Sequence, residues 1–91
     1  MFEDIVWIEG LRDYVKINLK STNKALIVRT SLKAIEHQIS SSKFIRIHKS
    51  LIVAIAEITA VRKNSIFIKE MELPVVETFR DSIDKLIRKD L

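Results

Sequence analysis

Cysteine is absent from this chain. That excludes disulfides and thiolate metal sites, and it fits a reducing compartment, so a cytoplasmic protein is expected. Glycine occurs once, at Gly10, which leaves no material for a glycine-rich phosphate loop. Proline also occurs once, at Pro74, so little interrupts regular elements. The two histidines, His37 and His48, have no carboxylate four residues on and no cysteine to join them, which argues against a metal site. No apolar run approaches the ~20 residues that a bilayer span needs. The N-terminus lacks the basic-then-apolar layout of a signal peptide, and no membrane partner is expected. Ser50 stands near His48, but no orienting acid or oxyanion-hole loop accompanies them, so neither catalysis nor a cofactor is expected.

What the chain does contain is a moderately apolar, basic composition. Its 91 residues are 47% hydrophobic and 31% charged, values of one small folded domain spanning residues 1–91. The formal net charge of +4 favours a polyanionic partner, although distribution matters more than the total. Acids gather towards the two ends, from Glu3 to Asp13 and from Glu70 to Asp90. Between Glu36 and Glu57 no carboxylate intervenes, while Lys43, Arg46 and Lys49 all fall there.

Periodicity predicts a mainly β architecture. Ile5-Val6-Trp7-Ile8 reads as a strand bounded by Glu9-Gly10, with Gly10 supplying a backbone conformation that a side chain would oppose. Leu11-Arg12-Asp13 is then the tip of a connection. From Tyr14 to Lys20, Val15, Ile17 and Leu19 alternate with polar residues, as in a half-buried strand. Ser21 to Lys24 is a polar turn, and Ala25 to Arg29 is the returning strand. Leu32, Ile35 and Ile39 have helical spacing behind a hydroxyl N-cap, predicting a short helix to about Gln38. Phe44 to Ile55 reads as strand, turn and strand, with His48, Lys49 and Ser50 on the rim where the chain reverses. Ile58–Val61 and Ser65–Ile68 form a hairpin about a solvated tip, Arg62-Lys63-Asn64. Met71 to Val76 is a last strand, which Pro74 marks as an edge or a bend. Phe79, Ile83, Leu86 and Ile87 form the apolar stripe of a C-terminal helix, with Thr78 and Asp81 placed as a capping box. Lys85, Arg88 and Lys89 fall where cations complement the helix dipole.

Two readings of the basic mid-section stand close together on composition. Arg46 and Lys49 are either solvent-facing cations that keep an edge strand from aggregating, or they contact nucleic acid. Arg and Lys attract phosphate and hydrogen-bond guanine acceptors, His donates to a base or a phosphate, and Ser donates to a phosphate. A turn presenting Arg46, His48, Lys49 and Ser50 has that chemistry.

The wording of particular segments separates the two. Ile8-Glu9-Gly10, Asp13-Tyr14-Val15-Lys16-Ile17, Ser31-Leu32-Lys33-Ala34-Ile35-Glu36, Phe44-Ile45-Arg46-Ile47-His48-Lys49-Ser50 with Ile52-Val53, and Leu73-Pro74-Val75 occur in this order. Together they resemble the LytTR family of DNA-binding domains over nearly the whole chain, with the Phe44–Ser50 segment the most specific part. The resemblance implies an elongated stack of small antiparallel sheets, with one short inserted helix and a C-terminal helix. It also implies sequence-specific binding of double-stranded DNA by loops inserted in successive major grooves, bending the duplex. The expected setting is the output module of a bacterial response regulator, preceded by a receiver domain and bound to paired direct repeats.

Carried over by position, the resemblance places readout near Arg12 and Asp13, at His48 and Lys49, and around Glu77 to Arg80. Arg46 and Ser50 join the central contacts, and Thr78 or Arg80 serves the third loop beside Glu77. Ala54 stands where family members usually carry an asparagine. Lys33 and Lys43 either assist phosphate attraction or are simple surface residues. Two rival partners remain: an acidic protein bound by the same basic face, and single-stranded nucleic acid. The latter needs exposed aromatics, and only Phe44 is near enough.

Overall fold

Central to the fold is a short strand, Leu51–Ala54 (β5), in which all four side chains are buried. A strand covered on both faces must lie inside a stack, and that is how the chain is built. The computed structural model describes residues 2–89, with side chains described for residues 3–86. β1 (Ile5–Leu11), β2 (Tyr14–Leu19), β3 (Leu26–Val28) and β4 (Phe44–His48) join β5 in one antiparallel sheet, ordered β3-β2-β1-β5-β4. β6 (Ala60–Val61), β7 (Ser65–Ile68) and β8 (Met71–Pro74) make a second, three-stranded antiparallel sheet. Helix α1 (Leu32–Glu36) follows β3, and α2 (Arg80–Lys89) ends the chain. The architecture is the mainly β stack with two helices that the sequence predicts.

The two faces of the larger sheet bury different sets of residues. Ile5, Ile8, Val15, Ile17, Phe44, Ile52 and Ala54 pack with Leu32 of α1, joined by Leu19, Ile35 and Ile39. Ile47, Leu51 and Val53 point the other way, against Ile66, Ile68 and Leu73 of the second sheet, Val75 just beyond it, and Ile83 of α2. Period-two alternation in β1 and β5 feeds both layers at once. Each fully buried isoleucine contributes roughly 1.5–3 kcal/mol of transfer free energy. At the opposite edge the pattern breaks: Leu26, Ile27 and Val28 of β3 are all exposed, between Lys24 and Arg29.

Local chemistry corrects several expectations. β1 continues through Glu9 and Gly10 to Leu11, and Gly10 has no positive φ. A Cβ there would meet Leu32 Cβ at 3.5 Å, an ordinary contact, so the glycine is not a conformational necessity. Strict alternation in Phe44–Lys49 is interrupted by a bulge: Arg46 pairs with Ile52 and His48 with Leu51, leaving Ile47 unpaired between them. Ile55 leaves the strand and begins a 3-10 turn, Ile55–Glu57. Thr78 caps no helix, because it lies inside a 3-10 turn, Glu77–Phe79, entered from Val76 without a side-chain cap bond. Ser31 does cap α1, its Oγ accepting from Ala34 N at 3.0 Å. Pro74 falls at the end of edge strand β8, where its missing N–H costs nothing. Tyr14 is exposed, and Trp7 lies against the second core layer. Ile87, Arg88 and Lys89 lie outside the described side chains.

Ile8→Ala and Ile66→Ala, one in each layer, should each cost about 2–5 kcal/mol in a urea unfolding titration. Ile27→Thr on exposed β3 should stay within about 0.5 kcal/mol of the parent.

Candidate nucleic-acid interface

Strand direction decides which loops share an end of the molecule. β1 runs antiparallel to both β2 and β5, with Leu11 opposite Tyr14 and Glu9 opposite Leu51. The β1–β2 turn, Arg12-Asp13, therefore stands beside the β4–β5 turn, Lys49-Ser50. A backbone bond joins the two hairpins, Gly10 N donating to Ser50 O at 2.7 Å. The start of α1 lies against Gly10 through Leu32, which sets exposed Lys33 at this end as well. The segment before α2 is tied in by Val76 N, which donates to Ile47 O at 3.0 Å. Residues 12–13, 48–50 and 77–80, far apart in the chain, thus converge on one end.

The Lys49-Ser50 turn is held from several sides. Arg46 Nε donates to the carbonyl oxygen of His48 at 3.2 Å, and Nη2 donates to that of Lys49 at 2.5 Å. Its Nη1 meets Glu36 Oε1 at 2.9 Å, and its guanidinium lies 5.5 Å from the Phe79 ring centroid. One planar fork thereby connects the end of α1, the turn and the entry to α2, a geometry only arginine supplies. Ser50 N donates to His48 Nδ1 at 3.1 Å, with Ser50 Oγ 3.0 Å from the same nitrogen. Because Nδ1 accepts, the neutral ring carries its proton on Nε2, the tautomer that donates to an acceptor beyond the turn.

These contacts divide the basic residues into two kinds. Arg46 is expected from the sequence as part of a cationic rim; in the structure it is half-buried, pairs with Glu36 through Nη1 and turns Nε and Nη2 to the His48 and Lys49 carbonyl oxygens. The carboxylate-free stretch misleads here, since the fold returns Glu36 from the helix. Lys49 is exposed and makes no ion pair among the described residues. Arg12 and Asp13 are exposed too, and His48 and Ser50 are half-buried. In the third segment Glu77 and Thr78 are exposed, while Arg80 Nε contacts Asp84 Oδ1 at 3.3 Å. That pair is worth at most about 1 kcal/mol and yields readily to a better partner. Lys43 lies at the far end of β4 from the turn. Sequence reasoning misses Glu36 and Phe79 as partners of Arg46, and no local signal marks them. It also misses Arg29, exposed where β3 ends beside the same hairpins.

Two antiparallel sheets that bring three loops to one end, with the exposed Lys49 on one of them, define a class of small β domain. Known proteins narrow the class. A solved structure, the LytTr DNA-binding domain of a response regulator from Bacillus cereus, superposes with a TM-score of 0.80 at 21% identity, covering 94% of this chain and 83% of that one. The sensory transduction protein LytT of Bacillus anthracis is 29% identical in an alignment 92 positions long that covers 94% of this chain but 37% of that protein. This chain thus spans a little over a third of that curated relative. Residues 1–88 match the LytTr DNA-binding domain family itself. The chain belongs to the LytTR family and is a DNA-binding domain; the family is not one of enzymes. Among the described residues no helix is long and apolar enough to cross a membrane.

Removing the clamp should separate its parts. Arg46→Ala is expected to cost about 1–3 kcal/mol of stability, as for hydrogen bonds from a charged donor. Glu36→Gln should cost under about 1 kcal/mol, because that carboxylate is exposed. Denaturant titration gives both values, and amide exchange at Gly10 should quicken in the arginine variant alone.

Proposed function

We propose that this domain reads double-stranded DNA with Lys49 and His48 in the major groove, as the output module of a bacterial transcriptional regulator. The observation that carries this reading is the exposed Lys49, without an ion pair among the described residues, on a turn held by Arg46 and flanked by two further loops. A lysine ammonium aimed at a groove finds guanine N7 and O6, and His48 Nε2–H finds a base acceptor or a phosphate. Ser50 is bound within the turn, so its part is to orient His48. Arg46 acts likewise from behind, as a positioning residue rather than a direct contact. Arg12 and Asp13 flank on one side, where Arg12 attracts phosphate and Asp13 accepts from a cytosine amino group. Thr78 and Arg80 flank on the other, Arg80 after exchanging Asp84 for phosphate. Lys33 adds to the attraction from the start of α1.

Family membership supports duplex DNA as the partner. The 37% share of the Bacillus anthracis relative leaves room in such a protein for further parts, and we assign a receiver domain to that role. Paired direct-repeat sites, each taking one copy of the domain, complete the reading, and a transcriptional role places the protein in the cytoplasm.

With about five phosphates neutralised, log K should fall about 4–5 for each tenfold rise in salt. Lys49→Ala should cost about 1–3 kcal/mol on a duplex selected from a random library, and it should lower the preference over a random duplex. Fluorescence anisotropy measures both. Unchanged discrimination removes Lys49 from readout, and saturable binding to an acidic protein without preference among duplexes favours the rival partner.

A further inference from the structure

The β6–β7 hairpin tip, Arg62-Lys63-Asn64, reads in the sequence as a solvated turn, but the fold carries it to the recognition end. Val75 N donates to Asn64 O at 2.9 Å, and the next residue, Val76, donates its N–H to Ile47 O at 3.0 Å. Two hydrogen bonds and one peptide unit thus separate the tip from the end of β4, immediately before His48 and Lys49. All three tip residues are exposed. The Arg62 guanidinium lies 5.2 Å from the Phe67 ring centroid, which steadies it over β7. Lys63 makes no ion pair among the described residues. Of the carboxylates nearby, Glu72 accepts from Ser65 Oγ at 2.7 Å and keeps its charge, and Glu77 stands in the following 3-10 turn.

Spacing then suggests what the tip meets. Packed sheets lie about 10 Å apart, and the major groove of B-DNA is about 12 Å wide. A domain that seats the Lys49 turn in the groove carries the second sheet's tip over the groove's sugar-phosphate wall. There a lysine meets phosphate oxygens and no base edge, and it acts as a point charge. We propose that Lys63, with Arg62 beside it, is a phosphate anchor that grips the DNA backbone flanking the recognition turn. This assignment rests on the reading of the Lys49 turn as the groove-entering element.

The test is anisotropy on the whole chain with two duplexes of equal length, one recovered by random-library selection and one of random sequence. Lys63→Ala should weaken both equally, by about five-fold at 0.15 M salt, and reduce the slope of log K against log salt by about 0.9. Arg62→Ala with Lys63→Ala should roughly double the slope change, the unfolding midpoint serving as the control for loss of the Phe67 contact. Lys49→Ala, by contrast, should change the ratio between the duplexes. An unaltered slope in both tip variants, with Lys49→Ala still impaired, overturns the anchor and leaves the groove reading intact. If the parent chain shows neither salt dependence nor a Lys49 effect, both fall. A Lys63 effect confined to the selected duplex also overturns the anchor, because a phosphate contact carries no base preference.

Discussion

The guanidinium of Arg46 is the constraint on which the end of the domain carrying the Lys49-Ser50 turn depends. Loops lose conformational freedom when they bind, and each residue fixed costs roughly 1–2 kcal/mol. A turn in which the His48 and Lys49 carbonyl oxygens already accept from Arg46, and the Ser50 carbonyl oxygen accepts from Gly10, has met part of that cost on folding. Net attraction between Arg46 and exposed Glu36 is small. What the pair adds is direction, since it holds the fork in the plane that reaches both carbonyls while its outer surface lies against Phe79. That arrangement leaves the Lys49 ammonium exposed, with no ion pair among the described residues.

Beneath the turn, burial provides the support. Every side chain of β5 is buried, and the strand carries the turn directly at its N-terminal end. Ile47, unpaired at the bulge, is fully buried in the layer shared with the second sheet and α2. The bulge re-aims His48 and Lys49 at the point where pairing ends, which is a common use of such irregularities. Displacing that layer would move the turn, so core and turn form one mechanical unit.

Much of this was legible in the residues. Alternation at Val15, Ile17 and Leu19, the apolar run after Ser50, the Ser31 cap and Pro74 at an edge each express a local rule, and each appears as expected. The Phe44–Ser50 wording identified the family, which the comparison over residues 1–88 establishes. Contacts that depend on topology were not legible. Nothing near Arg46 in the chain announces Glu36 or Phe79, because those contacts are made by the tertiary fold across 10 and 33 positions of sequence. Gly10 looked like a turn glycine and proved to be a strand residue. The Arg62-Lys63-Asn64 tip gained its place through backbone bonds to Val75 and onward to Ile47, which no side-chain pattern encodes.

Amide chemical-shift mapping of the labelled domain, titrated with a duplex obtained by selection, addresses the whole account at once. Perturbations should concentrate at residues 12–13, 48–50 and 77–80, the end where the three loops meet, with Ser50 shifting as a single ordered conformer. Shifts centred instead on Ser21 to Lys24 and the Lys69-Glu70 turn, or spread along exposed β3, would contradict it.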